Sequence, residues 1–227
     1  MVRRRLRELS IEEAANSLTH GFGLLLSVFG FALLMLLAVY YGGPLHFASA
    51  VVYGMSLVIL YGASTLYHSA NTPRAKSVLQ LVDHCCIYLL IAGSYTPFAL
   101  IVLNGSLGYG LLIFAWVFAA VGILTKVVFE IRSGLVSATI YLVMGWAGLV
   151  AVEPLYNAVG LVPMLLALAG GLSYSLGIIF FGWKSIKHHH AIWHVFVLMG
   201  SVLHFIAIAG YVMTYAPVST ALISTSF

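Results

Sequence analysis

His190 and His194 stand four residues apart at the start of an apolar run. On a helix that spacing puts both imidazoles on one face, about 6 Å apart, where they can hold one ion together. His68 closes another apolar run, with Ser64 one turn earlier, and Asp83, the only aspartate in the chain, opens a third. Three neutral imidazoles are the ligand count of a catalytic zinc site, which keeps a fourth position for water. Asp83 could hold that water or orient a ligand, and Ser64 shares the face of His68 as a further hydrogen-bonding partner. A plainer reading stays open, because His-x-x-x-His is a weak pattern on its own. His188 and His189 read as interfacial loop residues. His84 points about 100° around the helix from Asp83. His204 lies about 15 Å further along its helix than His194, too deep to share the site, and reads as polar packing between helices.

The elements that must position these groups follow from composition. Of the 227 residues, 62% are hydrophobic and only 7% charged, and the mean hydropathy is +1.07. A water-soluble domain of this size needs far more charge to cover its surface, so the solvent for most side chains is lipid. Many of the thirteen Tyr, thirteen Phe and four Trp sit near the ends of apolar runs, as interfacial anchors do. The adjacent Cys85 and Cys86 argue against a disulfide framework and read as small, reduced packing residues. The basic start (Arg3, Arg4, Arg5, Arg7) leads into a polar segment and then an apolar run long enough to span a bilayer, so no cleaved signal is expected. The net charge of +4 could suggest nucleic acid, but its distribution reads as membrane topology, and no nucleic-acid partner is expected.

A spanning helix needs about 20 mostly apolar residues. Seven segments qualify, at approximately 18–41, 45–68, 84–103, 107–125, 135–152, 160–183 and 192–214, the fifth being the shortest. Breakers stand at the joints: Gly42-Gly43-Pro44, Asn71-Thr72-Pro73, Asn104-Gly105, Ser133-Gly134 and Glu153-Pro154. The expected fold is therefore an all-α bundle of seven transmembrane helices. It is read as one domain over 1–227, with 1–17 as a short N-terminal segment. All ten Lys and Arg then fall on one side: Arg3, Arg4, Arg5, Arg7; Arg74, Lys76; Lys126, Arg132; Lys184, Lys187. The positive-inside rule predicts a cytosolic N-terminus and an outside C-terminus. The same topology brings His68, Asp83, His190 and His194 to one cytosolic rim, where ionisable groups near hydrocarbon mark a functional site.

Two further features lie outside that set. Glu12, Asn16 and His20 recur at four-residue steps leading into the first helix. They read either as an amphipathic interfacial turn or as a wall beside the metal. Pro97, in Gly93-Ser94-Tyr95-Thr96-Pro97, interrupts the third helix and frees a backbone carbonyl.

Taken together, Glu12-x3-Asn16-x2-Thr19-His20-Gly21, Ser64-x3-His68, Leu81-x-Asp83-His84, Gly93-Ser94-Tyr95-Thr96-Pro97 and His190-x3-His194 resemble the bacterial hemolysin III proteins. These belong to the progestin and adipoQ receptor (PAQR) family, which is related more distantly to alkaline ceramidases. The resemblance covers nearly the whole chain, in order. It implies a seven-helix fold in the bacterial inner membrane with a cytosolic-side zinc site. By position it implies His68, His190 and His194 as zinc ligands, Asp83 as the acidic residue near the zinc-bound water, and Ser64 as the serine of the Ser-x3-His motif. The short N-terminal segment does not match the soluble domain of the eukaryotic receptors, and a peptide-hormone receptor role is not expected. The leading expectation is a zinc-dependent hydrolase of lipid amide or ester bonds, its substrate entering sideways from the bilayer. The alternatives are a non-catalytic sensor or receptor stapled by structural zinc, and a haemolytic membrane protein. Secreted pore formers must first be soluble, which this composition does not allow. A transporter finds no acidic and basic groups paired near mid-membrane.

Overall fold

Inside a bilayer the backbone has no water to bond, so each crossing segment must satisfy its own N–H and C=O groups, as a helix does. The computed structural model describes residues 2–129 and 134–215, the side chains of 2–10 and of 135 excepted. These residues form α1 (Val2–Tyr41), α2 (Pro44–Ser69), α3 (Pro73–Pro97), α4 (Ser106–Val127), α5 (Gly134–Trp146), α6 (Val152–Val159), α7 (Leu161–Gly182) and α8 (His189–Ala207). A π-helical turn, Phe98–Leu103, continues α3, and another, Ile208–Val212, continues α8. A tighter 3-10 turn, Ala147–Ala151, joins α5 to α6. With these turns the helices make seven spans long and apolar enough to cross a membrane. The expected seven-helix bundle is observed, and the described residues contain no strand.

The joints use the breakers that the sequence offers. Pro44 and Pro73 open α2 and α3 at positions whose missing N–H costs nothing. Thr72 caps α3 by accepting a hydrogen bond from the Ala75 amide at 3.3 Å. Gly105 (φ +135°) and Gly160 (φ +82°) turn the chain into α4 and α7 through left-handed backbone that a side chain would strain.

Three boundaries differ from the sequence reading. The first helix is continuous from Val2, and its apolar span begins at Ile11, so Glu12, Asn16 and His20 lie on it rather than on a turn before it. The third helix begins at Pro73 and not near 84, because residues 73–83 mix charged and polar with apolar side chains, all of them helix-compatible after Pro73. Asp83 therefore sits ten residues, or about 15 Å, into α3 instead of opening it. The fifth span runs on through Glu153-Pro154 to Val159. Pro154 occupies the first turn of α6, where amides have no helical partner, so the chain breaks at Gly160 instead.

The bundle packs in two clusters. Leu34, Tyr53, Leu57, Leu60, Tyr61, Ile208 and Val212 fill the space among α1, α2 and the end of α8. Tyr88, Ala92, Ala115, Ala119 and Met144 fill that among α3, α4 and α5. Outward-facing residues are as apolar as the core: Leu18 and Val39 are each 74% exposed and Phe29 73%. That pattern fits a lipid solvent and no other. Because successive spans alternate in direction, Arg74, Lys76, Lys126, Lys184 and Lys187 fall at one end of the bundle. The side chains of Arg3, Arg4, Arg5 and Arg7, and the whole of Arg132 and Ser133, lie outside the described residues. Cys85 and Cys86 are both free thiols on α3.

Candidate metal centre

The charged end of the bundle holds the histidines. His68 sits in the last turn of α2, and His190 and His194 sit in the first turns of α8. His188 starts α8 with left-handed backbone (φ 58°), which costs a non-glycine residue about 1–2 kcal/mol, and its carbonyl accepts the Ile192 amide. The three rings converge, with centroids 5.1 Å apart for His68–His190, 4.9 Å for His68–His194 and 4.7 Å for His190–His194. One ring nitrogen from each lies within 4.8 Å of the others.

The Nε2 atoms of all three are buried and have no hydrogen-bond partner. A buried polar atom without a partner is costly, and three converging on one point need a shared one. A metal ion is the chemistry that fits, because its imidazole ligands must offer lone pairs. The other ring nitrogen supports this arrangement on two of the three. His68 Nδ1 lies 2.7 Å from Glu13 Oε2, so it donates to the carboxylate and leaves Nε2 as the lone pair. His194 Nδ1 faces the Asn16 carbonyl at 3.4 Å, a longer contact of the same sense. Zinc–nitrogen bonds of about 2.0–2.1 Å hold ligand atoms closer together than 4.8 Å, so an ion would draw the rings inward.

Around the three stand residues from α1 and α3. His20 stacks on His194 with centroids 3.6 Å apart and planes 16° apart, and it meets Tyr61 edge-on. Neither of its ring nitrogens has a partner. Glu13 Oε1 accepts a hydrogen bond from Lys76 Nζ at 2.6 Å, so one carboxylate ties α1 to both α2 and α3. Asp83 (4% exposed) lies beside Ser64 (0% exposed), although the Ser64 hydroxyl makes no hydrogen bond. Asp83 and His20 also border a partly open cavity of about 220 Å³, formed mainly by α3, α5, α7 and α8 and lined mostly by apolar side chains.

Of the residues singled out in the sequence, His68, His190 and His194 come together, and Ser64 lies beside Asp83 without a hydrogen bond to it. His189 turns to the Phe180 carbonyl and His204 Nδ1 to the Gly200 carbonyl, so neither joins the cluster. His84, next to Asp83 on α3, stays outside the three-histidine group but comes within electrostatic reach of both His68 and His190. Asn16 and His20 form the wall beside the cluster. Glu12 does not, and its neighbour Glu13 makes the ion pair instead. Spacing could not separate the two glutamates, since both stand about two turns before His20. Lys76, on the facing helix end, was the available signal for Glu13.

These features define a multi-pass membrane protein of seven helices with a buried histidine cluster at one end. The chain belongs to the haemolysin III-related family, whose model matches residues 10–205, and through it to the PAQR proteins. It is 45% identical over 200 residues to the hemolysin-3 homolog of Bacillus subtilis (strain 168), covering 88% of this chain and 94% of that protein. It is 42% identical over 212 residues to the hemolysin-3 of Bacillus cereus, covering 93% and 97%. The human monocyte to macrophage differentiation factor is 33% identical over 215 residues, covering 91% and 87%. The resemblance read from the scattered motifs thus holds across the chain.

Proposed function

We propose that this chain is a zinc-dependent hydrolase of lipid amide or ester bonds, with its site at the cytosolic face. The observation that carries the reading is the set of three buried, unpartnered Nε2 atoms beside an apolar cavity bordered by a buried carboxyl. His68, His190 and His194 would hold the ion. Bound there, zinc supplies an acidified water and polarises a carbonyl.

The remaining work falls to side chains. Glu13 fixes the tautomer and tilt of His68, and Lys76 fixes Glu13. Asp83 takes the proton of the attacking water, a role suited to a carboxyl held among apolar groups at the end of the cavity. Ser64 donates its hydroxyl to the oxygen of the reacting carbonyl as negative charge gathers there. The cavity receives the chain of the lipid from the bilayer side and keeps bulk water from the bond. The orientation rests on the one-sided Lys and Arg, since positively charged junctions stay in the cytosol.

The test is metal content and turnover of the full chain purified in detergent. About one zinc per chain in the wild type and none in His194→Ala is expected, with release of fatty acid from ceramide-like or acyl lipids. Equal metal in both proteins, or zinc-loaded protein that cleaves no such lipid while a related ceramidase does, overturns the reading. Alkaline phosphatase fused at the C-terminus should be active, and an inactive fusion would reverse the assigned orientation.

A further inference from the structure

A lysine at the end of a membrane span normally stretches its ammonium group out to the headgroup layer. Lys126 does not. It stands in the last turn of α4, yet it is only 2% exposed and ranks among the largest fully buried side chains. Its Nζ donates to Ser137 Oγ on α5 at 2.7 Å. A hydroxyl orients a cation without neutralising it, and among the described residues no carboxylate lies within ion-pair distance of Lys126. A desolvated cation in this state is costly unless an anion joins it.

The neighbours of Lys126 lead to a cavity that could receive one. Ser137 and His84 both line the apolar cavity, at the end that Asp83 borders. Lys126 lies in electrostatic reach of His84, which in turn reaches His68 and His190. The His84 backbone carbonyl is held by the Tyr141 hydroxyl at 2.8 Å, which fixes this residue against α5. Its ring makes no hydrogen bond among the described residues. Lys126 has used one of its three N–H donors. His84 on α3 and Ser137 on α5 therefore line the cavity near the histidine cluster, and the Lys126 ammonium stands directly behind Ser137.

We propose that Lys126, His84 and Ser137 form a subsite for the phosphate group of a lipid whose chain occupies the cavity. A phosphate offers three or four acceptor oxygens to donors arriving from several helices, whereas a carboxylate offers two in one plane. The depth also suits a phosphate, because α4 ends and α5 begins where the headgroup layer lies. The subsite stands on the cation and the cavity, so it holds whether or not the bound lipid is cleaved.

The experiment measures binding to the full chain in detergent, by native mass spectrometry and by thermal shift. Four probes of matched chain are compared: a lysophosphatidate, the corresponding monoacylglycerol, the free fatty acid, and inorganic phosphate with no chain. The wild type should bind the lysophosphatidate at least tenfold more tightly than the monoacylglycerol or the fatty acid, and inorganic phosphate should give no shift. Lys126→Gln should bring the lysophosphatidate-to-monoacylglycerol ratio close to one while monoacylglycerol binding persists, which also shows that the variant is folded. Ser137→Ala, which keeps the cation, should lower the ratio by less. Equal binding of the phosphorylated and unphosphorylated lipids overturns the proposal, as does equal binding of the fatty acid. A shift from inorganic phosphate alone overturns the lipid assignment. A preference that survives in Lys126→Gln but vanishes on zinc chelation places the phosphate on the metal and overturns the subsite. None of these results depends on hydrolysis, so failure of the hydrolase reading would be seen separately.

Discussion

The Glu13 carboxylate bridges His68 Nδ1 and Lys76 Nζ, at 2.7 and 2.6 Å, and so ties the first three helices together at the histidine cluster. One oxygen sets the histidine tautomer, and the other is held by a cation that keeps the carboxylate charged and in place. Glu13 therefore positions His68 and stands outside the group of three histidines that could hold an ion.

Replacing Glu13 by Gln keeps the size and removes the charge, and the amide can present its NH2 group to His68. The expected result is a fall in zinc affinity of about 10–100-fold, the usual cost of losing a carboxylate behind a ligating histidine. Competition with a chelator of known affinity measures it. Affinity unchanged within a factor of two would show that the pair acts only between helices. Lys76→Met should weaken zinc in the same direction but less, because the carboxylate remains.

His194 is fully buried with Nε2 unpartnered, and its ring lies against both His68 and His190. His194→Ala should lower zinc to near zero per chain. Metal that binds only the folded state stabilises it by about 2.7 kcal/mol when free zinc is 100 times Kd. At roughly 2–4 °C per kcal/mol for a chain of this size, chelation should lower the wild-type Tm by about 5–10 °C. Chelator should leave the Tm of His194→Ala unmoved. A wild type equally indifferent to chelator and to added zinc would remove the metal from the fold.

The seven spans were legible because hydrocarbon imposes one rule on every residue of a crossing segment, and the one-sided Lys and Arg confirmed their count. Hydropathy misplaces the start of the third span at 73–82, since the polar and charged residues interspersed there look like a loop although their backbone is helical. It also fails at Pro154, where a proline is harmless because it falls in a first turn after a 3-10 segment. The histidine cluster was legible in part because a four-residue step fixes His190 and His194 on one face whatever the tertiary structure. The Glu13–His68 pair and the turn of Lys126 inward to Ser137 were not, because both depend on how helices far apart in sequence meet. The stacking of His20 on His194 lies between these cases: its step from Asn16 was visible, its partner was not.

Close approach of α3 and α4 depends on Gly122. A Cβ placed there would run into the ring of Tyr88, which is 1% exposed and cannot swing away. Tyr88 leans edge-on against Tyr141, centroids 4.6 Å apart, and Tyr141 holds the His84 carbonyl. Gly122→Ala should therefore destabilise by about 1–3 kcal/mol, the common cost of overpacking. Gly110→Ala on the same helix meets open space and should leave the Tm unchanged or slightly raised. Thermal unfolding of the two variants side by side decides it, and equal melting temperatures would show that Tyr88 can yield.

Asp83 separates the catalytic reading from a structural staple. Its carboxyl is 4% exposed, borders the cavity, lies beside Ser64 and has no cation partner among the described residues. Asp83→Asn is nearly isosteric and removes a buried ionisable group that no ion pair supports, so the fold and the zinc site should survive intact. If Asp83 moves the proton of the attacking water, the variant keeps wild-type zinc and loses turnover by about 10²–10⁴-fold. If zinc only clamps α2 to α8, His190→Ala lowers the Tm, while Asp83→Asn leaves both the Tm and the lipid composition of cells producing it unchanged. Lipid analysis of cells carrying each variant, beside zinc content and Tm of the purified proteins, tells the two apart. Loss of zinc in Asp83→Asn would instead make the carboxyl part of the metal's own support.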